Sequence, residues 1–322
     1  MEMNEMTPKI SAYVFFGIVS IAALGLFQTI LVPNHSIVQT VFSATVSSTL
    51  VVGNAAPSVT AVSLNGASNI TLNANATTAI SVAYQVSDSN GCTDVFASGT
   101  LSILLYRSSI TSSTCNGAQS NLNCYKVTTS TNNCLSATST SANATSTFHV
   151  YYFADPTDPS STYSAQTWLA TAIATDSANA TGSADFSGVE LLTLVAVNVT
   201  TSSLNYGTVT GGTDTGATNQ TATTTNAGNV TTTLQLSALS TLTSGANVIE
   251  TSSQRYSTSS FTYVGTSTAL TGSPVTVQGV TLIQPTTTTN VSRATFWGVS
   301  VSSSFPTGTY SGVTTFAGLF VP

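Results

Sequence analysis

Apolar and polar positions alternate along most of the chain beyond residue 56. In residues 79–86, Ile80, Val82, Tyr84 and Val86 share one side while Ala79, Ser81, Ala83 and Gln85 share the other. That is the period of two expected of a half-buried strand. Similar runs predict strands over 100–106, 146–153, 168–174, 191–199, 220–225, 275–282, 294–301 and 309–316. Gly, Pro, Asn and Asp collect between these runs, and no stretch after residue 32 repeats with the helical period. Many short strands separated by turn residues, with no interleaved helices, predict an all-β chain built as a sandwich or barrel.

The first 44 residues follow a different rule. Residues 10–32 are 23 consecutive uncharged positions, predominantly apolar. As a helix they would extend about 35 Å, enough to cross a hydrocarbon layer of about 30 Å. The one flanking cation, Lys9, lies on the N-terminal side, which places the N-terminus in the cytoplasm and exports everything after Val32. Two readings of residues 1–44 stay open. The length of the span favours an uncleaved signal anchor, with the membrane as a partner. The small residues in Val41-Phe42-Ser43-Ala44 offer a peptidase site for a signal peptide. In either case the remainder is delivered outside, secreted or held at the cell surface.

Composition sharpens this picture. Lys and Arg number 5 and Asp and Glu 11, so only 5% of residues are charged, against about 25% in soluble domains. Ser (48) and Thr (60) together make up 108 of 322 positions and must supply most of the polar surface. Threonine also favours strands. A chain that is 41% hydrophobic with a net charge of -6 lacks the signature of disorder. Lys9, Arg107, Lys126, Arg255 and Arg293 are isolated from one another. Neither nucleic acid, which needs clustered cations to neutralise phosphates, nor an anionic membrane surface is a partner.

All four cysteines, Cys92, Cys115, Cys124 and Cys134, follow the apolar span without a Cys-x-x-Cys pair, which points to disulfides rather than a metal centre. Three connectivities are open. The favoured one nests Cys115–Cys124, which closes the short polar loop CNGAQSNLNC, inside Cys92–Cys134. Residues 108–144 are polar and hold three of the four cysteines, so they are expected to form a long stapled insert between two core strands. A change to a Thr-rich, cysteine-free half near 197–203 sets the expected domains at 45–197 and 198–322.

Several motifs resemble a known family. Gly53-Asn54-Ala55-Ala56-Pro57-Ser58-Val59 and Ala172-Ile173-Ala174-Thr175-Asp176-Ser177-Ala178-Asn179-Ala180-Thr181-Gly182 look like the first and penultimate strands of bacterial immunoglobulin-like surface modules. Leu204-Asn205-Tyr206-Gly207-Thr208-Val209 and Thr225-Asn226-Ala227-Gly228-Asn229 are similar to immunoglobulin-like domains related to the major sperm protein and to choice-of-anchor modules. Pro306-Thr307-Gly308-Thr309-Tyr310-Ser311-Gly312 resembles their final hairpin. The resemblance covers roughly 54–322 and implies two tandem immunoglobulin-like β-sandwiches on a surface or secreted protein, without catalytic residues.

Candidate chemistry is sparse. His149 sits in an alternating strand, His35 in the linker, and Gly-x-Ser-x-Gly is missing, so no hydrolase triad is indicated. Asp88, Asn90 and Asp94 surround Gly91, and Asp155 and Asp158 form a second acidic loop; clustered oxygens of this kind suit calcium, although the same residues also build Asx turns. Tyr151, Tyr152, Phe153, Tyr163, Trp168 and Trp297 are either core residues or a platform for sugar rings. The expected function is therefore a non-enzymatic, exported structural or adhesive protein that meets a cell-surface polymer or neighbouring surface protein. The alternative is a carbohydrate- or calcium-dependent binding module.

Overall fold

The computed structural model describes residues 45–320 and Pro322. The expected helix over 10–32 and the peptidase site at 41–44 lie outside the described residues. Residues 52–322 form one compact unit, which contains every strand among the described residues. The chain is all-β, with antiparallel pairing between its strands. No helix among the described residues is long and apolar enough to cross a membrane.

The N-terminal half holds β1 (Ser58–Leu64), β2 (Thr77–Ser87), β3 (Thr100–Arg107), β4 (Cys124–Val127), β5 (Thr131–Asn132), β6 (Ser141–Tyr151), β7 (Trp168–Thr175) and β8 (Thr181–Val189). They form two sheets, β1-β2-β6-β5 and β4-β3-β7-β8, around one core. Strands β2 and β6 pair without a break from Thr77↔Tyr151 to Ser87↔Ser141. Ile80, Val82, Tyr84 and Val86 all point inward, as their alternation requires, and share the core with Phe148, Val150 and Trp168. The Tyr84 hydroxyl meets Ser146 Oγ at 3.2 Å, which satisfies a polar group that would be costly to bury alone.

Strand β3 is buried on both faces over much of its length, which explains the apolar stretch Ile103-Leu104-Leu105-Tyr106 that interrupts its alternation. Leu101, Ile103 and Leu105 face the main core, whereas Leu104 and Tyr106 face a small second cluster with Cys115 and Cys124. The following segment supplies that cover. Its short helix α2 (Ser112–Gly117) is capped by Thr111, whose side chain accepts the Thr114 N–H at 3.2 Å. The structure pairs Cys115 with Cys124 and Cys92 with Cys134, the nested arrangement. The segment 108–144 is more than a decorated loop, because it contributes β4 to the edge of one sheet and β5 to the edge of the other. These strands are too short to leave an alternating pattern.

The C-terminal half holds β9 (Val197–Val199), β10 (Thr213–Asp214), β11 (Gln220–Asn226), β12 (Thr232–Ala238), β13 (Leu242–Ser244), β14 (Asn247–Ile249), β15 (Gln254–Ser257), β16 (Thr268–Ala269), β17 (Val275–Leu282), β18 (Ser292–Val301) and β19 (Thr314–Leu319). One sheet runs β16-β15-β18-β11-β9, with β10 also on β18; a second runs β17-β12-β19; β13 and β14 form a hairpin. Their shared core is built on Trp297, Leu234, Leu236, Val277, Val280 and Leu282.

Residues 191–199, expected as one strand, are divided between the two cores. Leu191 and Leu194 pack on the first core and Val197 on the second, so only Val197–Val199 forms a strand. The backbone between them is held by the turn after β11. Asn229, fully buried, accepts the Leu194 N–H on Oδ1 (2.6 Å) and donates from Nδ2 to the Leu192 carbonyl (3.1 Å). Its own N–H donates to the Leu194 carbonyl at 3.0 Å. Gly228 is required here, since a Cβ at that position would lie 2.0 Å from the Leu194 oxygen. Asn226 secures the turn from the other side, donating to the Val230 (2.7 Å) and Leu282 (3.0 Å) carbonyls. The two halves also meet through Asn75 N–H to the Ala227 carbonyl (3.0 Å), Tyr152 hydroxyl to Asn290 Oδ1 (2.6 Å) and Gln284 Nε2 to the Phe153 carbonyl (3.1 Å).

Two outcomes follow from this packing. Asn229→Ala leaves the half-buried Leu194 N–H and Leu192 C=O without their side-chain partner, so we expect a loss of about 1 to 3 kcal/mol and new cleavage near residues 192–197, read by urea melts and limited proteolysis. With limiting reductant, Cys92–Cys134 should open before Cys115–Cys124, because Cys134 is half-buried while Cys115 and Cys124 are buried. Differential alkylation with mass mapping reports the order, and simultaneous opening would contradict it.

Candidate functional site

The loop after β2 starts with an Asx turn. Asp88 Oδ1 accepts the Asn90 N–H at 2.7 Å, and the Asp88 carbonyl accepts the Gly91 N–H at 3.1 Å. Gly91 has φ of 108°, and a Cβ there would lie 2.1 Å from the Ala137 carbonyl oxygen, so the sharp bend needs glycine. The chain then enters α1 (Cys92–Phe96), which carries Asp94 and is tied to residue 134 by its disulfide.

A second turn, between β7 and β8, lies against this loop. Asp176 Oδ1 accepts the N–H groups of Ala178 (2.9 Å) and Ala180 (2.8 Å), and its Oδ2 accepts from Asn54 Nδ2 at 2.8 Å. The Asn54 amide, helped by the Ala180 and Ala178 N–H groups and opposed by burial, holds the Asp176 carboxyl below its ordinary range. Asp94 Oδ1 accepts the Ser177 N–H at 3.3 Å and so links α1 to the same turn.

One carboxylate oxygen from each of Asp88, Asp94 and Asp176 lies within 4.8 Å of the others. Asp88 and Asp176 are each 2% exposed, and Asp94 is half-buried. Asp88 Oδ2 is sealed from solvent without a hydrogen-bond partner. The donor set is all hard oxygen, the type that holds calcium or magnesium.

Of the residues singled out from the sequence, the fold brings Asp88 and Asp94 together and adds Asp176. Asn90 lies beside them but serves the entering chain: its Oδ1 accepts the Ala55 N–H at 2.7 Å. Asp155 and Asp158 are used elsewhere. Asp155 is 5% exposed, and its Oδ2 lies 3.2 Å from Arg107 Nε, a charge contact without hydrogen-bond alignment. Arg107 also donates from Nη1 to Gln166 Oε1 (2.5 Å) and lies 3.8 Å over the Tyr163 ring. Burial raises the Asp155 carboxyl above its ordinary range, against the opposing charge of Arg107. Asp158 Oδ1 accepts from Thr193 Oγ1 at 2.6 Å. Both acids thus have partners within the chain. Asp176 was legible only as a turn residue, because its approach to Asp88 is made by two distant loops.

His149 is exposed on β6, opposite Ala79. Trp168 and Trp297 are both fully buried, so neither offers a face to a sugar. Trp168 Nε1 donates to the Asp155 carbonyl at 2.9 Å. A groove of about 1180 Å³ opens in the C-terminal half between residues 201–211 and 305–314. Tyr206, Phe305 and Tyr310 line it together with many hydroxyls, and no charged side chain does. Tyr206 donates to Gln254 Oε1 at 3.2 Å, and burial pushes its phenol up.

No protein-family model matches the chain, and no curated protein matches it. Among solved structures, red sea bream transglutaminase aligns at 9% identity with a TM-score of 0.19, over 80% of this chain and 29% of its own length. A likeness that weak carries no argument about fold or activity.

The Arg107–Asp155 pair generates a pH-dependent outcome. Arg107→Met leaves Asp155 buried without its cation, and the expected loss at pH 7 is about 3 to 5 kcal/mol. The folded chain then binds the Asp155 proton more tightly still, so stability falls as pH rises from the unfolded value through the raised folded one. The deficit should therefore shrink as pH is lowered toward about 4, where the neutral acid needs no partner. Urea melts at the two pH values measure it; a deficit independent of pH would contradict the account.

Proposed function

We propose that the chain is an exported, non-enzymatic structural or adhesive protein, with two immunoglobulin-like modules delivered outside the membrane by residues 1–44. The observation that carries this reading is the pair of disulfides, which engages all four cysteines and leaves none free. Disulfides persist in oxidising compartments and are rare where thiols are kept reduced. The apolar span over 10–32 supports export, and a surface of hydroxyls and amides supports a role insensitive to salt. The all-β architecture with two cores supports tandem modules. Fold alone assigns no partner.

A second reading is favoured by the groove of the C-terminal half. Its aromatic and hydroxyl lining without charge suits a neutral polysaccharide, whose rings stack on aromatic faces and whose hydroxyls pair with Ser and Thr.

Cells are fractionated, thiols are alkylated without reductant, and the recovered protein is sequenced from its N-terminus. Export predicts recovery from the membrane or the medium with unreactive cysteines, starting either at residue 1 or close to residue 44. The intact chain in the cytosol with four reactive thiols would overturn the reading. For the second reading, Tyr310→Ala should weaken retention on immobilised neutral polysaccharide by about tenfold without altering the melting temperature. Unchanged retention removes it.

A further inference from the structure

We propose that Asp88, Asp94 and Asp176 form a calcium site that fastens the entering segment, residues 53–57, to the end of the N-terminal half. The inference stands on the geometry of the acids and does not depend on the adhesive role.

Nine acidic residues follow the apolar span, and three of them converge within 4.8 Å. In a chain so poor in charge, this gathers three carboxylates in one place, two of them buried. The single ion pair among the described residues, Arg107 with Asp155, is made by other residues. The Asp88 carboxylate carries the argument further. It is 2% exposed, its Oδ1 receives one N–H, and its Oδ2 is buried with no donor. Buried carboxylates ordinarily gather several donors or a cation, and the three acids together supply the place for a cation. Asp94 is half-buried, so one of the three acids is in contact with solvent.

The donors favour calcium. Carboxylate oxygens select hard cations, and the nearby Cys92 sulfur is engaged in a disulfide. Three protein carboxylates from two loops suit the larger ion with its flexible shell of 6 to 8 oxygens, whereas magnesium keeps more of its own water in a strict octahedron.

The consequence is mechanical. Loop 88–94 and turn 176–180 both grip the entering chain: Asn54 Nδ2 donates to Asp176 Oδ2 at 2.8 Å, and Ala55 N–H donates to Asn90 Oδ1 at 2.7 Å. Gly182 lets β8 start directly against it, since a Cβ there would lie 2.0 Å from the Pro57 carbonyl oxygen. An ion that draws the two loops together therefore also fixes the place where the chain joins the sandwich.

The full chain is stripped with chelator and titrated with calcium by calorimetry, melting and hydrogen exchange. We expect one saturable site and a rise in Tm of about 5 to 10 °C at a hundredfold excess over Kd. Magnesium at the same concentration should give a smaller rise, and calcium should slow amide exchange over residues 54–59. Asp94→Asn should abolish the calcium-dependent rise while leaving the Tm in chelator equal to or above that of the unaltered chain, because repulsion is relieved. The wild-type comparison needs no variant to fold. Absence of a calcium-dependent rise, or the same rise in Asp94→Asn, overturns the site. An equal rise with magnesium overturns the choice of ion, and unchanged exchange over 54–59 overturns the fastening.

Discussion

Backbone groups that strand pairing leaves over at the ends and turns of this protein are satisfied mostly by neutral side chains. With 16 charged residues in 322, carboxylates complete only a few of these turns, those of Asp88, Asp94, Asp176 and Asp214, and amides and hydroxyls complete others. The turn after β11 shows how much depends on this. Asn226 and Asn229 are both buried, and between them they satisfy carbonyls or N–H groups on the linker, on β17 and on the turn itself. Two hydrophobic cores that share no strand are joined into one compact unit at this point. Apolar burial holds each half together, and a handful of directional amide bonds fixes one half on the other.

The same scarcity gives meaning to the two places where charge is concentrated. At one, Arg107 and Asp155 neutralise each other under Tyr163 and beside Trp168. This is a self-contained polar bolt in an apolar wall. At the other, three carboxylates approach without a cation among the described side chains. The first site holds both signs of charge, and the second holds only one.

The sequence made some of this legible and hid the rest for physical reasons. The alternation in β2 placed Ile80, Val82, Tyr84 and Val86 correctly, because a strand with one wet face imposes the period of two. Strand β3 loses the alternation because both its faces are covered. Residues 191–199 read as a strand although their apolar side chains serve two different cores. Asn226 and Asn229 stood out only as turn residues; their burial depends on a linker more than 30 residues away, as the Asn229–Leu194 separation of 35 shows. Asp88 and Asp94 were visible as a local cluster, but Asp176 joins them only through pairing of distant strands, which no local pattern records.

The nested cystines change how the molecule breaks. Cys115–Cys124 lies wholly inside the span closed by Cys92–Cys134. A single hydrolytic cut anywhere between residues 92 and 134 consequently severs the polypeptide without releasing a fragment. The nicked molecule gains only a water and stays covalently joined through Cys92–Cys134, so wear within this span is tolerated as damage in place, not as shedding.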